Sequence, residues 1–214
     1  MRKKSSRNVM RKIVIALAVI LLFAMSQNVS AASQKIKAVR AYASFLSKTK
    51  YVKWLDQQSF STGLAKNCYF ALAYIDNNNV PELILYTPDS YHVAGFGVMY
   101  TYRNGKVVRV SELGFDLHST LGYYKKKNVY TDNYSWTGTG SYDYERISGR
   151  RLGTRSIKYN YRLQKWVTDG YYWNDKRVSK ASFNKALKKV VGNTKFTRYK
   201  FHKNTAANRK KYLR

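Results

Sequence analysis

The stretch Asn67 to Tyr86, NCYFALAYIDNNNVPELILY, constrains this chain more than any other. It holds an apolar run, a short polar loop and a second apolar run. Alternation puts Cys68, Phe70, Leu72 and Tyr74 on one face of a strand, and Tyr69, Ala71, Ala73 and Ile75 on the other. Both faces are apolar, the pattern of a strand covered on both sides. Asn77-Asn78-Asn79 cannot continue it, because asparagine tolerates a left-handed backbone and bonds its own main chain. Pro81 suits the first residue of a following strand, where a missing N–H does little harm. Leu83 to Tyr86 then resumes the apolar run. The expectation is two central strands joined by the turn Asp76 to Asn79.

The rest of the chain reads as additions to that pair. Val93 to Arg103 and Lys106 to Leu113 flank Asn104-Gly105, a strong hairpin signal. Gly95 and Gly97 within the first of these strands suggest a bulge or a close backbone approach. Short strands follow at Leu121 to Lys125, Asn128 to Asp132, Ser141 to Ile147, Thr154 to Leu163 and Trp166 to Trp173. Ile36, Val39, Ala43, Phe45 and Leu46 recur at helical spacing within a first helix region, Gln34 to Gln58. Near the other end, Phe183, Ala186, Leu187, Val190 and Val191 do the same. Ser179 is placed to cap that second helix and Gly192 to stop it. The expected class is α+β: a single antiparallel, strongly twisted sheet of hairpins with an N-terminal and a C-terminal helix packed on it.

The first 31 residues read as an export signal. Met1 to Lys12 carries six basic residues and no acid, and Ile13 to Met25 is unbroken apolar sequence. That stretch is shorter than the roughly 20 residues of a membrane span and within the range of a signal peptide's apolar core. Val29-Ser30-Ala31 is a small-residue cleavage pattern, so a cleaved signal is expected over 1–31, with no transmembrane span left afterwards. Cys68 is the single cysteine, which excludes an internal disulfide and a lipid anchor at the cleavage site. Residues 32–203 are expected to form a single domain, and 204–214 a basic, disordered tail. The expected location is secreted, with charge able to hold the protein on the cell wall.

That charge narrows the partners. The chain of 214 residues has 40 Lys and Arg against 11 Asp and Glu, a net charge of +29. Removing the six basic residues of the signal leaves +23. Such a surface favours polyanions. Tyrosine and tryptophan crowd the second half of the chain, and rings stack on sugar or base faces while Lys and Arg pair with phosphate. The candidate ligand-binding residues are Tyr123, Tyr124, Tyr142, Tyr144, Trp166, Tyr171, Tyr172 and Trp173. The competing account is that such residues simply suit strands and pack across them. Anionic wall polymer or glycan is the expected partner; nucleic acid remains an alternative that export disfavours.

Around the central loop the sequence resembles a broad group of exported proteins of Gram-positive gut bacteria. The pieces that carry it are Ile75-Asp76-Asn77-Asn78-Asn79-Val80-Pro81-Glu82-Leu83-Ile84, the hairpin Tyr100 to Val107, and the segment Tyr171 to Leu187. The resemblance implies a helix, tyrosine-rich hairpins and a second helix, and no particular activity. The loop itself is similar to the calcium loops of integrin-type repeats, where oxygens at alternate positions surround one hard cation. Carried over, the metal ligands would be Asp76, Asn78, the carbonyl of Val80 and Glu82. Tyr74 stands where a first carboxylate is needed, and Asn79 stands where the pattern has glycine. The alternative is a tight turn held by asparagine side chains. No cofactor is otherwise expected.

Other chemistry leaves little trace. His92, His118 and His202 are scattered and near no cysteine pair, so no zinc spacing exists. No nucleophile elbow and no glycine-rich phosphate loop occurs. Asp116, His118 and Ser119 are adjacent in sequence, which is not a triad. Asp143 and Glu145 share a strand face about 7 Å apart by strand rise. They leave open an exported hydrolase of wall or glycan as the alternative to a binding protein.

Overall fold

The structure, a computed structural model, describes residues 33–48, 68–87, 94–116, 121–136 and 138–214. The export signal and the second half of the expected first helix lie outside the described residues. So do His92, His118 and Ser119. Helix α1 covers 33–46. Four strands follow: β1 (Tyr69–Ala73), β2 (Glu82–Thr87), β3 (Ala94–Arg103) and β4 (Lys106–Asp116). The next six are β5 (Gly122–Tyr124), β6 (Val129–Trp136), β7 (Thr139–Glu145), β8 (Arg151–Asn160), β9 (Lys165–Trp173) and β10 (Lys176–Val178). The chain closes with α2 (Lys180–Val191), β11 (Phe196–Arg198), β12 (His202–Lys203) and α3 (Ala206–Tyr212).

The class is α+β, and the strands divide between two antiparallel sheets where the sequence suggested one. The first has the order β12-β1-β2-β3-β4, the second β10-β9-β8-β7-β6-β5-β11. The reason lies in the two apolar faces of the central pair. One face, with Cys68, Phe70, Leu83, Leu85, Val98 and Tyr100, packs under Ala38, Val39, Tyr42, Phe45 and Leu46 of α1. The other, with Ala71, Ala73, Ile75, Ile84 and Met99, meets Tyr123, Tyr130 and Ile147 of the second sheet's strands and turns. A helix covers one side and a second sheet the other. The far face of that second sheet is covered in part by α2, through Val191, Leu187 and Val190. The layers therefore run helix, sheet, sheet, helix.

The central pair forms as its alternation predicts, with Tyr69 opposite Tyr86 and Ala73 opposite Glu82. Asn104 and Gly105 take positive φ values of 50° and 77° at the β3–β4 turn, the conformation that two-residue hairpins require. The β3–β4 register shifts between Met99 and Tyr100, with Val110 of β4 as the extra residue, and not at Gly95 or Gly97. Around α2, Ser179 accepts the N–H of Ser182, and Gly192 ends the helix at a φ of 61°. The stripe on α1 forms with Val39, Phe45 and Leu46 buried as expected; Ile36 is exposed, and Ala38 and Tyr42 join the buried side. Tyr42 donates its hydroxyl to the carbonyl of Pro81 at 2.8 Å, so a tyrosine serves both packing and anchoring.

The segment 204–214 is not a disordered tail. Thr205 caps α3, accepting the N–H of Asn208, and Leu213 is buried against the α1 core. Tyr212 stacks on His202 with ring centroids 3.5 Å apart. Lys210, Lys211 and Arg214 are exposed, while Leu213 and the Tyr212 ring dock.

Candidate functional site

Three of the eight predicted aromatic residues come together. In the second sheet Thr131 lies opposite Tyr144, and Tyr142 opposite Arg155. Tyr124 lies opposite Phe196, and Gly122 opposite Arg198. Alternation puts the side chains of Tyr124, Thr131, Tyr142, Tyr144, Arg155, Phe196 and Arg198 on one face. There they line a half-open groove of about 180 Å³ beside α2.

The Arg155 guanidinium lies over the Tyr142 ring, 4.3 Å from its centroid. Its Nε is buried and has no hydrogen-bond partner. Arg198 is exposed on the same groove. Tyr124 and Phe196 meet edge to face at 5.4 Å. The Thr131 hydroxyl is held by Gly122, accepting from its N–H at 3.1 Å and lying 3.3 Å from its carbonyl oxygen. Burial pushes the Tyr124 phenol up to about 12, and burial also raises Tyr144, against the pull of the Arg155 charge. Both stay neutral hydroxyls at physiological pH. The groove therefore offers ring faces, neutral hydroxyls and two guanidinium groups.

Glycine at 122 is obligatory for this arrangement. A Cβ there would lie 2.1 Å from the Thr197 carbonyl oxygen of β11. Without a side chain, β11 pairs closely enough to bring Phe196 and Arg198 to the groove.

The other predicted aromatics are placed elsewhere. Tyr171 and Trp173 share this face of the sheet but pack against Phe183 of α2, at 5.4 and 5.6 Å. Tyr123 points to the opposite face, stacked on Tyr199 between the sheets. Tyr172 pairs with Thr154 across the strands. Trp166 lies at the distant β8–β9 turn against Tyr159. Arg155, Arg198, Phe196 and Thr131 were missed in the sequence. Only the alternation of Arg155 with Gly153 and Ile157 hinted at an inward-facing cation.

The central loop shows where its oxygens point. Asp76 accepts the N–H of Asn78 at 3.0 Å, and Asn78 accepts that of Val80 at 2.8 Å. Asn79 adopts a φ of 62° and accepts Lys126 Nζ at 2.6 Å. Glu82 is fully buried; it accepts the N–H of Ile75 at 3.0 Å and the hydroxyl of Thr101 at 3.4 Å. Burial raises Glu82 to about 8. Of the proposed ligands, Asp76 and Asn78 are engaged by the loop's own amides, and Glu82 by the Ile75 amide and the Thr101 hydroxyl of β3. Among the described residues, no three of His, Cys, Asp and Glu gather to hold a metal ion.

A row of acids lies on the second sheet's other face. Asp132 is opposite Asp143, and Glu145 follows two residues on. Asp132 accepts the N–H groups of Gly114 at 2.7 Å and Asn133 at 2.8 Å, joining β4 to β6. Burial pushes it up to about 7. Glu145, raised by burial, accepts the Tyr130 hydroxyl at 2.9 Å. Asp143 accepts the hydroxyls of Ser141 and Thr154, with Arg151 3.9 Å away.

Among the described residues no helix is long and apolar enough to cross a membrane. Comparison with protein-family models, with curated proteins and with solved structures finds no match.

Proposed function

We propose that this is an exported, basic binding protein of the cell envelope or extracellular space, taking an anionic polymer or glycan. The observation that carries the reading is the groove, where Tyr124, Tyr142 and Tyr144 share walls with Arg155 and Arg198. Ring faces suit sugar or base planes, and guanidinium groups suit carboxylate and phosphate. The surrounding charge agrees. Of only 11 acids, Glu82, Asp132 and Glu145 are turned into the protein, so they do little to offset 40 Lys and Arg.

The test is adsorption to purified anionic wall polymer, with single-stranded nucleic acid in parallel. Binding should be strong at low salt and fall steeply as salt rises, because displaced counterions drive it. No binding at low salt, or binding indifferent to salt, rejects the reading. Preference for nucleic acid redirects it.

The opposed Asp132 and Asp143 give the hydrolase alternative a specific residue pair. Their hydrogen bonds to Gly114, Ser141 and Thr154 already supply a structural role. Release of reducing ends from wall glycan, abolished in Asp143→Asn, would move the assignment to that pair.

A further inference from the structure

We infer that the groove is a subsite for one acidic sugar unit, with its anionic group held at Arg155 and its ring against the aromatic walls. This rests on the polyanion reading above and names the part of the ligand that this site would recognise.

Three features of the groove lead there. The first is the state of Arg155. A guanidinium stacked on a ring keeps its N–H edge free for in-plane bonds, and that edge matches a carboxylate or phosphate in two parallel hydrogen bonds. Stacking over Tyr142 at 4.3 Å fixes the plane. The buried Nε, without a hydrogen-bond partner, is one donor of that edge. Buried donors are nearly always paired, so this unpaired one, on a side chain that lines the groove, points to a missing acceptor. Second, Arg198 on the same groove adds a second cation without a second fixed plane. Third, the size is limiting. About 180 Å³ lies below the range of roughly 300–1,000 Å³ for drug-sized ligands. One ring and one substituent fit that space better than a nucleotide with base, sugar and phosphate.

The walls favour a sugar over a purely ionic ligand. Tyr124, Tyr144 and Phe196 present apolar rings, while the neutral phenols of Tyr124 and Tyr144 can bond to hydroxyls. The groove is half open, so a unit within a longer chain could enter without an end group. The rest of the polymer would meet the general positive surface. Recognition and adsorption are thus separable: Arg155 reads one unit, and the distributed Lys and Arg hold the chain.

The experiment uses the full chain in isothermal titration and in NMR of the Arg side-chain N–H groups. The probes are glucuronate, glucose 6-phosphate, glucose and uridine monophosphate. Glucuronate or glucose 6-phosphate should bind with a Kd of about 1 mM or tighter, shift the Arg155 Nε–H resonance, and show which anion is preferred. Glucose should bind at least tenfold more weakly. Arg155→Lys keeps the charge and removes the fork; it should weaken the acidic sugar about tenfold. Arg198→Gln changes only an exposed side chain. It should weaken the acidic sugar severalfold, and it keeps the test decisive if Arg155→Lys does not fold. The inference is overturned by equal binding of glucose and glucuronate, by preference for the nucleotide, or by no response to either acidic sugar. It is also overturned if Arg198→Gln binds like wild type. Wild-type adsorption to wall polymer without a response to either acidic sugar would overturn this inference alone; absence of adsorption as well would defeat the broader reading.

Discussion

Replacing Glu82 with glutamine tests the account of the central loop most directly. Glu82 is fully buried, and its carboxyl is raised from 4.5 to about 8, mainly by burial. The folded protein therefore keeps this proton over a pH range in which the unfolded chain releases it. Because the folded state binds more protons there, stability falls as pH rises through the window from 4.5 to about 8. Below the window the group has no effect, and above it the loss is complete. At about 1.4 kcal/mol per pH unit, the full penalty is on the order of 4 to 5 kcal/mol, and roughly 3 kcal/mol of it is present at pH 7. Glutamine keeps an acceptor for the Ile75 N–H, and its amide can donate to Thr101. Urea unfolding followed by tryptophan fluorescence at pH 5, 6, 7 and 8 would measure the difference. Asp132, raised to about 7, contributes its own slope to both proteins and cancels in the comparison. Glu82→Gln should lie within about 1 kcal/mol of wild type at pH 5 and exceed it by about 3 kcal/mol at pH 7. A variant that is less stable at pH 7, with the slope of the wild type, would mean that Glu82 is ionised in the fold. That outcome would refute the reasoning and favour a cation beside it.

The same loop is expected to give one melting temperature in calcium and in chelator, because Glu82 and Asp76 already bond to amides; a shift of several degrees in calorimetry would reverse this. Leu213→Ala should lose about 2 to 3 kcal/mol in urea unfolding, since Leu213 packs in the α1 core; an unchanged midpoint would return 204–214 to a loose tail. Gly153→Ala should lose about 1 to 3 kcal/mol and alter tryptophan fluorescence, because its Cβ would lie 2.7 Å from Trp173 and 2.9 Å from Phe183; wild-type emission and stability would contradict the packing of α2.

Several elements were readable from local sequence. The β1–β2 pair followed from two-sided apolar alternation broken by asparagines. The β3–β4 hairpin followed from Asn104-Gly105, and α2 from Ser179 and Gly192. Each depends on neighbours within a few residues. Val39, Phe45 and Leu46 mark the buried side of α1, and Tyr42 joins them only because Pro81 accepts its hydroxyl. Of the candidate site, Tyr124, Tyr142 and Tyr144 were named, and the cations that give the groove its chemistry were not.

Sequence alone determined the compositional bias, the strand faces and the local turns, since side-chain alternation and turn chemistry are properties of a short stretch. Tertiary structure decided that the strands form two sheets and that Arg155 stacks on Tyr142. It also decided that β11 brings Phe196 and Arg198 beside Tyr124 and Gly122. Those outcomes depend on strand order and register between segments far apart in the chain. A shift of one residue in either register would send the same side chains to the opposite face.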